Sequence, residues 1–200
     1  MQLNLNIKNM SLASRTAMFS SLIDHCEITG KDGSLLEREA GADAVVKILA
    51  KRSGSIYIIG NGGSASIASH SAVDFFNVAK LRAFTLHESS LMTCMANDYG
   101  YENAFARMLA QITKQGDVLF AISSSGRSEN IRNAVAQVSD NGGTVITLSG
   151  FAHDNPLRSM GDINIWLNSD DYGLVEIGHQ FILHNLSDRF ASNHACEIMP

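Results

Sequence analysis

The stretch SIYIIGNGGSASIASHSAVDFF, residues 55–76, decides the fold. Ile56, Tyr57, Ile58 and Ile59 form a short apolar run without polar alternation, the pattern of a strand buried on both faces. The glycine-rich turn GNGG follows at 60–63, and helical spacing of small and apolar side chains runs over 64–78. Strand, tight turn and helix in that order begin a βαβ unit. The rest of the chain repeats the theme. AFTLH (83–87), DVLFAI (117–122), TVITLS (144–149) and INIWL (163–167) read as further strands, and 101–114, 128–141 and 172–192 as further helices. Apolar strands alternating with helices predict an α/β domain over 53–200, a doubly wound, five-stranded parallel sheet flanked by helices.

Ahead of it, 11–28 and 34–51 carry helical spacing of apolar residues, with TGKDGS as the turn between them. Ser34 and Glu37 have the spacing of a capping box for the second helix. These elements predict an N-terminal helical hairpin over 1–52. Its first helix bears Met18, Phe19, Leu22 and Ile23, with Met10 and Leu12 at its start, apolar surface that must pack on its own domain or on another subunit, the oligomer interface being the reading preferred.

Composition excludes several classes. The chain has 200 residues, 45 % of them hydrophobic, and only two prolines, Pro156 and Pro200, which argues against two domains joined by a linker. The net charge of −5 offers no basic field for nucleic acid. Cys26, Cys94 and Cys196 are odd in number and lack CxxC spacing, as reduced thiols of a cytoplasmic protein would be. No apolar run approaches the roughly 20 residues of a membrane span. The opening MQLNLNIKNMSLASR has no basic segment before an apolar core, so no signal peptide is expected.

Two loops carry the chemistry. GNGGSAS (60–66) and SSSGRS (123–128) each follow a strand and lead into a helix, at the sheet edge where open α/β folds bind ligands. Gly60, Gly62 and Gly63 let successive N–H groups converge beside a helix N-terminus. Ser123, Ser124, Ser125 and Ser128 add four hydroxyls at a second one. Both are suited to an anion such as phosphate, although a tight turn and helix caps alone would also use these residues. Gly60, Gly62 and Ala65 with Glu88 also fit a dinucleotide fingerprint, which leaves the serine loop without a role. Further along, His70 and Asp74 are four apart on one helix, and Glu176, Gln180 and His184 share a face of the last. Such stripes can be solvated helix faces, a proton-transfer pair, or a zinc site of two nitrogens and two oxygens.

GNGGSAS with SHSAVDF (69–75), then ANDYGYE (96–102) and ISSSGRSENI (122–131), resemble the sugar isomerase (SIS) domain family, and within it the phosphoheptose isomerases, over about 34–190. The resemblance implies a cytoplasmic homotetramer with active sites at subunit boundaries, feeding lipopolysaccharide and other surface-polysaccharide synthesis. It implies that Ser64, Ser123, Ser124, Ser125 and Ser128 hold a sugar phosphate, with Asn61, Gly62, Gly63, Asn97, Asp98 and Glu176 in the same substrate site. It assigns acid–base catalysis to Asp74 and His184, and a zinc site to His70, Asp74, Glu176 and His184, with no nucleotide cofactor. The family carries glutamate at Asp74, glutamine at Glu176, arginine at Val78 and aspartate at Gly173. Two other functions stay open: a non-catalytic SIS module, like the family's tetramer that binds the replication initiator DnaA, and a nucleotide-dependent dehydrogenase.

Overall fold

The structure is a computed structural model and describes residues 10–194; the first nine residues of the opening segment, Cys196 and Pro200 lie outside them. Seven strands form one sheet: β1 (Glu27–Gly30), β2 (Leu35–Leu36), β3 (Ile56–Ile59), β4 (Ala83–Thr85), β5 (Val118–Ser123), β6 (Thr144–Ser149) and β7 (Ile163–Trp166), in the order β2-β1-β7-β6-β5-β3-β4. The five expected strands are the parallel ones. Residues of each point alternately to the two faces. Ile56, Ile58, Phe120 and Ile122 enter one core with Phe75, Leu183 and Phe190, while Tyr57, Ile59, Leu119 and Ala121 enter the other with Phe105, Leu109, Ile131 and Val135. Burial on both faces is why these strands read as unbroken apolar runs.

The sheet has seven strands rather than five because the expected turn between the first two helices is a hairpin. Helix α1 (Leu12–Asp24) ends earlier than expected, and β1 then runs antiparallel to β7, with Ile28 opposite Ile165. Ile28 is buried on the core side, which brings a short strand to the sheet edge. The Asp32 carboxylate accepts from the Ser34 N–H and hydroxyl, at 3.0 and 2.6 Å. Ser34 is thereby tied to the turn, and Glu37 caps α2 (Arg38–Lys51) by accepting from the Ala40 N–H at 2.9 Å.

The remaining helices are α3 (Gly63–Asn77), α4 (Ser89–Tyr99), α5 (Ala104–Ile112), α6 (Glu129–Asp140) and α7 (Tyr172–Asn193). The expected helix 101–114 starts as a 3₁₀ turn at Tyr101–Asn103, after Gly100 with φ +80° breaks it from α4. Helix α4 was not expected at all. Its cap is Glu88, whose carboxylate accepts from the Leu91 N–H at 2.8 Å, so the dinucleotide reading loses the group it needed for a ribose. No helix among the described residues is long and apolar enough to cross a membrane.

Candidate functional site

Strand order fixes where the site lies. From β3 the chain adds β4 on one side and then β5 on the other, so neighbouring crossovers diverge between β3 and β5. A crevice opens beyond the carboxyl ends of two such strands. The loops leaving them are the glycine and serine loops. In the first, a Cβ on Gly60 would lie 2.5 Å from the Ser64 carbonyl oxygen, and Gly62 takes φ +54°. Only glycine meets both demands, and the turn delivers Ser64 to the first residues of α3.

A side-chain clamp ties the two loops together. Asn61 Nδ2 donates to Asn130 Oδ1 at 2.8 Å, and Asn130 Nδ2 donates back to Asn61 Oδ1 at 2.9 Å. Tyr101 donates its hydroxyl to the same Asn61 oxygen at 2.8 Å. Between the loops is a pocket with about 130 Å³ of water-accessible space, lined by Asn61, Ser64, Ile122, Ser123, Ser124, Ser125, Ser128, Tyr172 and Glu176. Ser123 donates to Ser128 at 3.1 Å, and Ser125 accepts from the Arg127 N–H at 3.2 Å. The Ser124 hydroxyl is buried and unpartnered among the described residues. A buried donor without an acceptor costs stability, and a ligand oxygen is the natural remedy.

The second cluster joins α3 to α7. His184 Nδ1 and Asp74 Oδ2 are 2.8 Å apart, and His70 Nε2 lies 3.3 Å from the same oxygen. The hydrogen bond to Asp74 holds the His184 pKa above its ordinary value, with burial opposing it and the charges of Asp74 and Asp188 adding to it. One atom from each of His70, Asp74 and His184 lies within 4.8 Å of the others, a three-ligand set of two nitrogens and an oxygen. Such a set fits a catalytic zinc, which keeps a fourth position open.

The expected residues thus divide. Asn61, Ser64, Ser123, Ser124, Ser125, Ser128 and Glu176 come together at the pocket, and Gly62 and Gly63 shape the turn beside it. His70, Asp74 and His184 come together elsewhere. Glu176 is apart from that cluster, because eight helical residues separate it from His184 by about 12 Å along the axis. Its carboxylate lies against Gly63 instead. Asn97 and Asp98 are on exposed α4, Asn97 donating to Asp98 at 3.0 Å, and the pocket does not include them. The sequence reading missed Asn130 and Tyr101, whose role depends on a pairing across 69 and 40 positions. It also missed His179, fully buried on α7 and bonded through Nε2 to the Ser149 carbonyl at 3.1 Å.

Comparison with known proteins agrees with this geometry. Residues 36–150 match the SIS domain. A phosphoheptose isomerase of Helicobacter pylori (strain HPAG1) is 36 % identical over 141 residues, covering 68 % of this chain and 73 % of the relative. The structure of phosphoheptose isomerase GmhA from Neisseria gonorrhoeae superposes with a TM-score of 0.75 at 26 % identity, over 90 % of this chain and 97 % of that one. A phosphoheptose isomerase from Francisella tularensis superposes with a TM-score of 0.73 at 27 % identity, over 92 % and 99 %.

Proposed function

We propose, from the premise that this chain belongs to the SIS domain family, that it is a phosphosugar aldose–ketose isomerase acting on sedoheptulose 7-phosphate to give D-glycero-D-manno-heptose 7-phosphate. One observation carries the reading: a buried serine hydroxyl, unpartnered among the described residues, lines a polar pocket at the strand switch point, walled by the same two helices that bear a carboxylate–imidazole pair. The serine hydroxyls and the amides opening α3 and α6 hold the phosphate without a lysine.

Isomerisation removes a proton from C1 of the ketose and returns one to C2, through an enediolate whose charge must be stabilised. Asp74 is the base in this reading. His184, hydrogen-bonded to it and with its pKa raised by that bond, is the acid that supplies a proton to the developing oxyanion. A purely binding module needs neither group. His70, Asp74 and His184 are also the residues that would hold zinc, which when bound polarises a carbonyl.

The two clusters lie about two helical turns apart on α7, and α3 and α7 also carry exposed apolar side chains. Val73, Phe76, Ile177 and Phe181 are 62, 59, 60 and 51 % exposed. Further copies of the chain packed there would cover these residues and bring one protomer's acid–base pair toward another's phosphate pocket. We therefore read the assembly as a homotetramer with active sites at subunit boundaries and residues 1–52 in the interface. Leu12 of α1, 84 % exposed, supports that use. The unpaired thiols of Cys26 and Cys94 suit a reducing cytoplasm, where surface-polysaccharide precursors are made.

Proton NMR of sedoheptulose 7-phosphate with the purified protein in D₂O tests the reaction. Deuterium should enter at C2 of the aldose as it accumulates. Absence of both, with the protein folded, would refute the assignment.

A further inference from the structure

Among the described residues one charged side chain lines the serine pocket, and it carries the same sign as a phosphate ligand. Glu176 is half-buried on α7, and its carboxylate lies so close over Gly63 that a methyl group there would overlap it. Among the described residues no lysine, arginine or histidine lines the pocket beside it. A phosphate dianion bound here is repelled by that carboxylate, and more strongly than it would be in bulk water.

The carboxylate is also idle. Among the described residues it accepts no hydrogen bond and meets no cation, although an ionised carboxylate has about four acceptor sites to satisfy. The buried Ser124 hydroxyl on the same pocket wants a partner as well. Phosphate oxygens can satisfy the serine but have nothing to donate to Glu176. The hydroxyls of a sugar chain have.

We propose that Glu176 makes this pocket select a polyhydroxyl phosphate over phosphate itself, by accepting hydrogen bonds from hydroxyls on the carbons next to the phosphate ester. The inference rests on the phosphosugar reading and adds the ligand's orientation: phosphate on the Ser123–Ser128 side, polyol on the Gly63 and α7 side. A carboxylate can accept from two adjacent hydroxyls at once, whereas an amide offers one oxygen. Glu176 thus weakens phosphate binding in general and restores it for ligands that bring hydroxyls.

Isothermal titration of the wild type and Glu176→Gln with inorganic phosphate and with sedoheptulose 7-phosphate, in chelator so that no metal bridges the anions, tests this. Glu176→Gln should bind inorganic phosphate about tenfold tighter, and the preference for the sugar phosphate over phosphate should fall at least tenfold. Gly63→Ala is the second variant, because its methyl displaces the same carboxylate, the far end of a flexible side chain; it too should reduce the sugar preference. An unchanged preference in Glu176→Gln, or phosphate bound no more tightly, overturns the inference while leaving the phosphosugar reading intact. A wild type that binds neither ligand overturns both.

Discussion

His179 should make this protein acid-labile in a defined way. It is fully buried, and burial, partly offset by the hydrogen bond to the Ser149 carbonyl, lowers its pKa from 6.5 to about 4. Nε2 donates to that carbonyl, which leaves Nδ1 as the site for a second proton, and Nδ1 is buried without a partner among the described residues. The unfolded chain takes up this proton near pH 6.5, whereas the folded one resists it until about 4. Because the folded pKa is depressed for a base, the neutral form's stability is complete above pH 6.5 and is lost as pH falls through that window. Two and a half pH units at about 1.4 kcal/mol each amount to about 3 to 4 kcal/mol, on the order of 10 °C in Tm for a chain of this size. His179 fastens α7 to the end of β6 three residues after Glu176, so the pocket wall loosens with it. Urea unfolding of the wild type and His179→Gln at pH 4.5, 5.5 and 6.5 is the assay. Glutamine keeps a donor for the carbonyl and does not titrate, so the variant should lose roughly one proton's worth of pH slope, about 1.4 kcal/mol per unit. Parallel losses in the two proteins would refute the reasoning.

Four further outcomes are expected. Ser124→Ala with Ser125→Ala removes two donors to the phosphate and should raise KM at least tenfold, with unchanged KM counting against the serine loop. Asp74→Asn and His184→Gln should each lower kcat by about 10² or more while phosphate still binds, and Asp74→Glu tests whether the shorter carboxylate limits turnover; wild-type rates in the first two would remove both groups from the mechanism. Elemental analysis of the purified protein should find about one divalent ion per subunit, and its loss in His70→Ala with His184→Ala would locate it at the three-ligand cluster. Mixed oligomers of the serine double variant and Asp74→Asn should regain about a quarter of wild-type activity if the two clusters serve each other across a subunit boundary, and none if each site is built within one chain.

Elements that pack on both faces of the sheet were legible in the sequence, because burial leaves a periodic trace. Strands β3, β5 and β6 are such elements, and their residues divide between two cores, while β7 is buried with Ile163 and Ile165 in one of them. Helix α4 left a fainter trace: none of its residues is fully buried, and Met92 and Met95 are its partly buried side chains packed against a core. In β1 the only strong apolar residue is Ile28, and four residues after a helical pattern read as its continuation. Pairing with β7, more than 130 positions away, makes it a strand, and such non-local pairing leaves little mark on local sequence.

The site divides along the same line. Glycines that must turn and serines that must cap are dictated by local backbone geometry, so the two loops were visible from residue types alone. His70 and Asp74 are fixed by a helical repeat within one element, and the structure keeps them together. Contacts between elements obey no such repeat. Nothing in NGG and SEN announces that Asn61 and Asn130 exchange two hydrogen bonds, yet this exchange fixes the distance between the loops. The stripe Glu176, Gln180 and His184 shows the limit of helical spacing as an argument. It places three side chains on one face, but a face two turns long serves two neighbours. Its first residue meets the N-terminus of α3 at Gly63 and its last meets Asp74 near the other end. Helices α3 and α7 therefore separate along their length what helical spacing gathers, the Glu176 carboxylate at one end and the Asp74–His184 pair at the other.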